Sequence, residues 1–177
     1  CVTRQGDPVT PNVELMDLPE PLAGAGDLLV ATEASALNHL DLWVGRGLPG
    51  VDTAYPHIGG SDGCGRVVGV GQGVNEAWIG RRVMFNLAVE IPHVPSPESR
   101  PSGREIYMIG EHTPGTHAER FVAPAANAID VGDSTDPIQA AAYGLTHLTA
   151  WGMLCTKARL RCGDTVLITG IGGGVAL

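Results

Sequence analysis

From residue 13 to about residue 135 the apolar positions come in short runs, broken by Gly, Pro and Asp. Leu28-Leu29-Val30-Ala31-Thr32 predicts a strand entered from the turn Gly24-Ala25-Gly26-Asp27. Gly65-Arg66-Val67-Val68-Gly69-Val70-Gly71 predicts a second, whose glycines mark a bend or a bulge. Arg82-Val83-Met84-Phe85-Asn86 and Glu119-Arg120-Phe121-Val122 predict two more. Short strands at this spacing predict a mainly β domain, a small antiparallel barrel or sandwich. Residues 91–103 carry Pro92, Pro95, Pro97 and Pro101 and few apolar side chains, which predicts a surface excursion.

The pattern changes at Asp136. Pro137-Ile138-Gln139-Ala140-Ala141-Ala142 opens a helix with Asp136 as N-cap and Pro137 at its first position. The helical pattern runs to about Leu160, with Gly144 a candidate break. Thr165-Val166-Leu167-Ile168-Thr169 is a compact apolar run of the kind that forms a buried parallel strand. Gly170-Ile171-Gly172-Gly173-Gly174-Val175-Ala176 follows it directly.

Composition narrows the function classes. The chain has 177 residues, 44% hydrophobic and 17% charged, so it can bury a sizeable core. Its 25 glycines and 13 prolines favour strands joined by tight turns. Net charge is −8 with only 11 scattered basic residues, which argues against a nucleic-acid partner. No apolar stretch reaches the length of a membrane span, and no hydrophobic signal core follows Cys1. Cys1, Cys64, Cys155 and Cys162 form no CxxC pair, which fits a reducing, cytoplasmic setting, with Cys64 and Cys155 expected to be buried thiols.

A strand followed by a glycine-rich turn is how dinucleotide-binding domains begin, because glycine lets the main chain approach a pyrophosphate. In strict GxGxxG register Gly173 and Ala176 fit, whereas Ile171 takes the place of the first glycine. A flexible turn with no ligand fits the same residues. Other segments carry more weight. Ala36-Leu37-Asn38-His39-Leu40-Asp41-Leu42-Trp43 resembles the segment bearing the first catalytic zinc ligand in medium-chain dehydrogenases/reductases. Residues 56–68, with Gly59-Gly60-Ser61-Asp62-Gly63 at their centre, resemble that superfamily's PxxxGHExxGxV signature. Gly115-Thr116-His117-Ala118-Glu119-Arg120-Phe121 is similar to its GTYAEY strand, and Leu148-Thr149-Ala150-Trp151 to its pre-cofactor helix.

The resemblance implies a GroES-like β-barrel catalytic domain over residues 1–135. It then implies a connecting helix and the start of a Rossmann α/β domain over residues 136–177, cut short by roughly 100 or more residues. It implies NADP or NAD as cofactor, with Thr149, Gly170, Gly172, Gly173, Gly174 and Val175 on the cofactor side. It implies a small-molecule substrate and a homodimeric full-length protein. Zinc is not expected, because the three ligand positions fall on Asn38, Ser61 and Leu145, and 91–109 lack the cysteines of a structural zinc lobe.

Zinc-free members of the superfamily resemble quinone oxidoreductases and enoyl reductases. Asn38, Asp41, Ser61 and Thr149 are therefore the candidate catalytic residues. Each also has a structural reading. Asn38 and Asp41 are spaced as N-cap and N3 of a helix; Ser61 and Asp62 sit in a turn; Thr149 can bond back one helical turn. Trp43 and Trp151 are expected in the core or in a cleft wall. The competing expectations are a relative that binds metal through other ligands, and a GroES-like binding or structural module without catalysis.

Overall fold

The computed structural model describes residues 1–91 and 106–177. Among the described residues seven strands and two α-helices form in the order β1 (Asp27–Ala36), α1 (His39–Arg46), β2 (Asp62–Val70), β3 (Arg82–Phe85), β4 (Ala88–Glu90), β5 (Ile106–Met108), β6 (Arg120–Pro124), β7 (Ala128–Asp130) and α2 (Pro137–Trp151). The main sheet is antiparallel, in the order β6-β1-β2-β3-β7, and β4 pairs with β5 beside it. The chain is mainly β with a little α, as predicted.

Alternation sets the core. Leu28 and Val30 point inward and are fully buried, and they meet Val67, Val83, Phe85 and Phe121 from the neighbouring strands. The Phe85 and Phe121 rings lie 5.2 Å apart, tilted by 44°. Burying two such rings contributes about 1.5–3 kcal/mol each. The β1–β2 register slips between Leu29 and Val30, where Val68 is left over on β2, so the predicted bulge is present. Gly65 is required at its position: a Cβ there would stand 2.0 Å from the Ala31 carbonyl oxygen.

The second helix starts as predicted. Asp136 accepts a hydrogen bond from the Ile138 N–H at 3.0 Å, and Pro137 stands at the first position. Arg82 fixes the approach to it, donating from Nε to Glu33 (2.6 Å) and from Nη1 to the carbonyls of Asp133 (2.8 Å) and Thr135 (3.1 Å). Small residues then let α2 lie close on the sheet: Ala140 and Ala141 pack with Cys64 and Ala34.

Several expectations are corrected. Gly144 does not break α2, which continues through it with the bare Cα lying against the Asp62 carboxylate of β2. The α-helix ends at Trp151 and passes into one π-helical stretch, Gly152–Lys157, short of Leu160. Residues 165–169 form no strand: Leu167 is 89% exposed, and among the described residues no neighbouring strand supplies the ladder that an apolar run needs. Cys155 is exposed, because it lies on that π-helical stretch with nothing packed over it. Trp43 and Trp151 are more than half exposed, which leaves the cleft wall of the two places expected for them. Strands β4 and β5, three residues each, are too short to show alternation in sequence. Of the expected excursion, residues 92–103 lie outside the described residues.

Candidate active site

The first candidate residue stands where β1 ends and α1 begins. Asn38 is the N-cap of α1, and its main-chain N–H donates to Asp41 Oδ2 at 2.7 Å, the expected capping arrangement. The other carboxylate oxygen, Asp41 Oδ1, accepts from the Gly60 N–H at 2.9 Å. Asp41 thus ties the helix start to the turn before β2. That turn holds Gly60 at φ 98°, a conformation that suits glycine, and a Cβ there would clash with Thr116.

The turn delivers Ser61 and Asp62 beneath Asn38. The Asn38 side-chain Nδ2 donates to Ser61 Oγ at 3.2 Å and to Asp62 Oδ2 at 2.9 Å. Ser61 is fully buried and Asp62 is 2% exposed, whereas Asn38 is half-buried. The second Asp62 oxygen, Oδ1, accepts from the Leu145 main-chain N–H in the middle of α2 at 2.7 Å. Thr116 Oγ1 donates to the Asp62 carbonyl at 2.7 Å. Burial pushes the Asp62 carboxyl above its ordinary range, opposed by the hydrogen bonds from Asn38 and Leu145.

The structure therefore brings Asn38, Asp41 and Ser61 into one cluster and joins Leu145 to it. Thr149 stands one turn further along α2, exposed, with Oγ1 donating to the Leu145 carbonyl at 2.7 Å. It meets the cluster only through that helical turn. The glycines are more remote: Gly170, Gly172, Gly173, Gly174 and Val175 are exposed, and Gly174 lies against Thr146. Open space surrounds the missing Cβ of Gly170 and of Gly172.

Catalytic zinc needs thiolate, imidazole or carboxylate donors around one open position. Here the corresponding residues offer an amide, a hydroxyl and an aliphatic chain, and the adjacent Asp62 already uses both oxygens in hydrogen bonds. Among the described residues no three His, Cys, Asp or Glu side chains converge to hold a metal ion. This donor set does not fit zinc. Buried His57 holds the Gly110 carbonyl through Nε2 at 3.0 Å, a structural contact.

Asp62 is the member of the cluster absent from the candidates read in sequence. Its signals were the position next to Ser61 and a glycine inside a helix, Gly144, whose packing reason lies 82 positions away from it in the chain, at Asp62 (144 − 62).

Residues 24–133 match the family described as the alcohol dehydrogenase GroES-like domain. The chain is 32% identical over 175 residues to a zinc-type alcohol dehydrogenase-like protein YogA of Leptosphaeria maculans, covering 93% of the chain and 48% of that protein. It is 31% identical over 201 residues to a crotonyl-CoA reductase of Streptomyces avermitilis, covering 98% of the chain and 43% of that protein. A solved NAD-dependent alcohol dehydrogenase superposes with a TM-score of 0.85 at 35% identity, covering 99% of the chain and 51% of that structure. The chain spans about half the length of the curated relatives it matches.

Proposed function

The chain belongs to the alcohol dehydrogenase GroES-like domain family, and on that premise we propose that it is the N-terminal part of a zinc-independent, NAD(P)H-dependent oxidoreductase that transfers hydride to a carbonyl, quinone or enone. One observation carries the reading: where a metal would need three strong ligands, an Asn38 amide is hydrogen-bonded to Ser61 and Asp62. The zinc in the name of the Leptosphaeria relative is that protein's; the donor set of this chain favours a site that works without it. Similarity to a crotonyl-CoA reductase and to an NAD-dependent alcohol dehydrogenase supports nicotinamide chemistry.

In this reading residues 1–135 are the GroES-like catalytic domain and 136–177 open the dinucleotide-binding domain of a cytoplasmic homodimer. The nicotinamide, when bound, supplies the hydride. Asn38, half-buried, is the member of the cluster that a substrate oxygen can reach, and Ser61 and Asp41 act through it. Thr149 lies on the helix that leads to the cofactor turn, and Gly170, Gly172, Gly173, Gly174 and Val175 receive the pyrophosphate. Positioned dipoles then do the work that a Lewis acid does elsewhere.

The reading is tested with NADPH on the full-length gene product and on residues 1–177, by calorimetry and by absorbance of the nicotinamide. The longer protein is expected to oxidise NADPH with a quinone or enone after exhaustive chelation. Residues 1–177 alone are expected to bind no better than about millimolar, about −4 kcal/mol, since most of the dinucleotide surface needs later strands. Activity that chelation abolishes and zinc restores would overturn the zinc-free reading. A longer protein that binds NADPH and never oxidises it would favour a non-catalytic binding module.

A further inference from the structure

We propose that Asp62 is the positioning residue of this site, fixing both the orientation of the Asn38 amide and the seat of α2 beside it. The inference rests on the oxidoreductase reading for what the site does, but its geometry is tested independently of turnover. The Asp62 carboxylate is buried between three elements and uses each oxygen on a different one. Oδ2 accepts from Asn38 at the start of α1, and Oδ1 accepts from the Leu145 N–H of α2. Its own carbonyl is held by Thr116.

The consequence for Asn38 is chemical. Both hydrogens of its amide nitrogen are taken, one by Ser61 Oγ and one by Asp62 Oδ2. A carboxylate can only accept, so Asp62 also decides which end of the amide faces it. The Asn38 nitrogen is held inward against the buried pair, and its carbonyl oxygen is turned to the start of α1, where the side chain completes the capping box with Asp41. The consequence for α2 is positional. Gly144 has no side chain, and a Cβ would stand 2.1 Å from Asp62 Oδ1, so the carboxylate reaches the helix main chain only because residue 144 is glycine. The same helix carries Thr149.

The isosteric substitution Asp62→Asn separates the two links. An amide at 62 can turn its oxygen to Leu145, but its nitrogen then faces the Asn38 nitrogen, donor against donor. Hydrogen exchange of the Leu145 N–H and of the Asn38 side-chain NH2, read by NMR on the whole chain, reports each link. In Asp62→Asn the Asn38 NH2 is expected to lose roughly tenfold or more in protection while Leu145 keeps its own. In Asp62→Ala both are lost. The reciprocal double variant Asn38→Asp with Asp62→Asn restores a donor–acceptor pair with the roles exchanged. It is expected to recover the melting temperature that Asp62→Asn loses, and to show a protected NH2 at residue 62. Unchanged exchange of the Asn38 NH2 in Asp62→Asn would overturn the proposal. So would a double variant that melts no higher than Asp62→Asn alone. Neither result depends on whether the full-length protein reduces a quinone or an enone.

Discussion

Gly144 lies against Asp62 so closely that a Cβ on the helix would stand 2.1 Å from the carboxylate oxygen Oδ1. In an exposed helix, glycine to alanine is favourable by about 1 kcal/mol. Here the sign reverses, because the methyl group displaces a buried, charged hydrogen bond to the Leu145 N–H. Gly144→Ala is expected to destabilise the chain by about 2 kcal/mol net, lowering its melting temperature by about 4–8 °C. Thermal denaturation followed by circular dichroism checks this, and a rise in melting temperature would refute the close approach.

Thiol reactivity should divide along the fold. Burial raises the Cys64 thiol to about 11, and its side chain lies under α2 with Ala140 and Ala141. Cys155 and Cys162 are exposed. At neutral pH a brief treatment with iodoacetamide is expected to modify Cys155 and Cys162 and to leave Cys64 intact until the chain unfolds. Peptide mass spectrometry reads the sites, and labelling of Cys64 as fast as Cys155 would contradict the packing.

Acid sensitivity should trace in part to one ion pair. The hydrogen bond from Arg82 holds the Glu33 carboxyl below its ordinary value of 4.5. A depressed carboxyl contributes stability that is present above the unfolded value and is lost as pH falls through the folded one. Glu33→Gln is therefore expected to flatten the decline in melting temperature below about pH 4.5, where the wild-type chain loses this contribution. Parallel melting curves for the two proteins over that range would count against the pair.

Metal content is the most direct check on the site chemistry. With an amide, a hydroxyl and an aliphatic chain at Asn38, Ser61 and Leu145, the purified chain is expected to hold no stoichiometric zinc after dialysis against chelator. Elemental analysis showing about one zinc per chain would overturn it.

What the sequence determined by itself is what short-range physics decides. The strand over residues 28–32 follows from a short apolar run entered from a glycine turn. The start of α2 at Asp136-Pro137 follows from helix capping, and so does the link of Asn38 to Asp41, three residues on. The absence of zinc-type donors at Asn38, Ser61 and Leu145 needs only the identities of those residues.

Tertiary structure decided the rest, because it turns on which distant segment lies opposite. Asp62 meets Asn38 across 24 positions and Leu145 across 83, and no periodicity announces either partner. Ser61 was legible as a polar residue in a glycine turn, but only the approach of that turn to the start of α1 buries it fully behind Asn38. Residues 165–169 read as a buried strand, yet burial and pairing belong to the neighbour as much as to the segment. Among the described residues no strand pairs with this segment, and Leu167 is left 89% exposed.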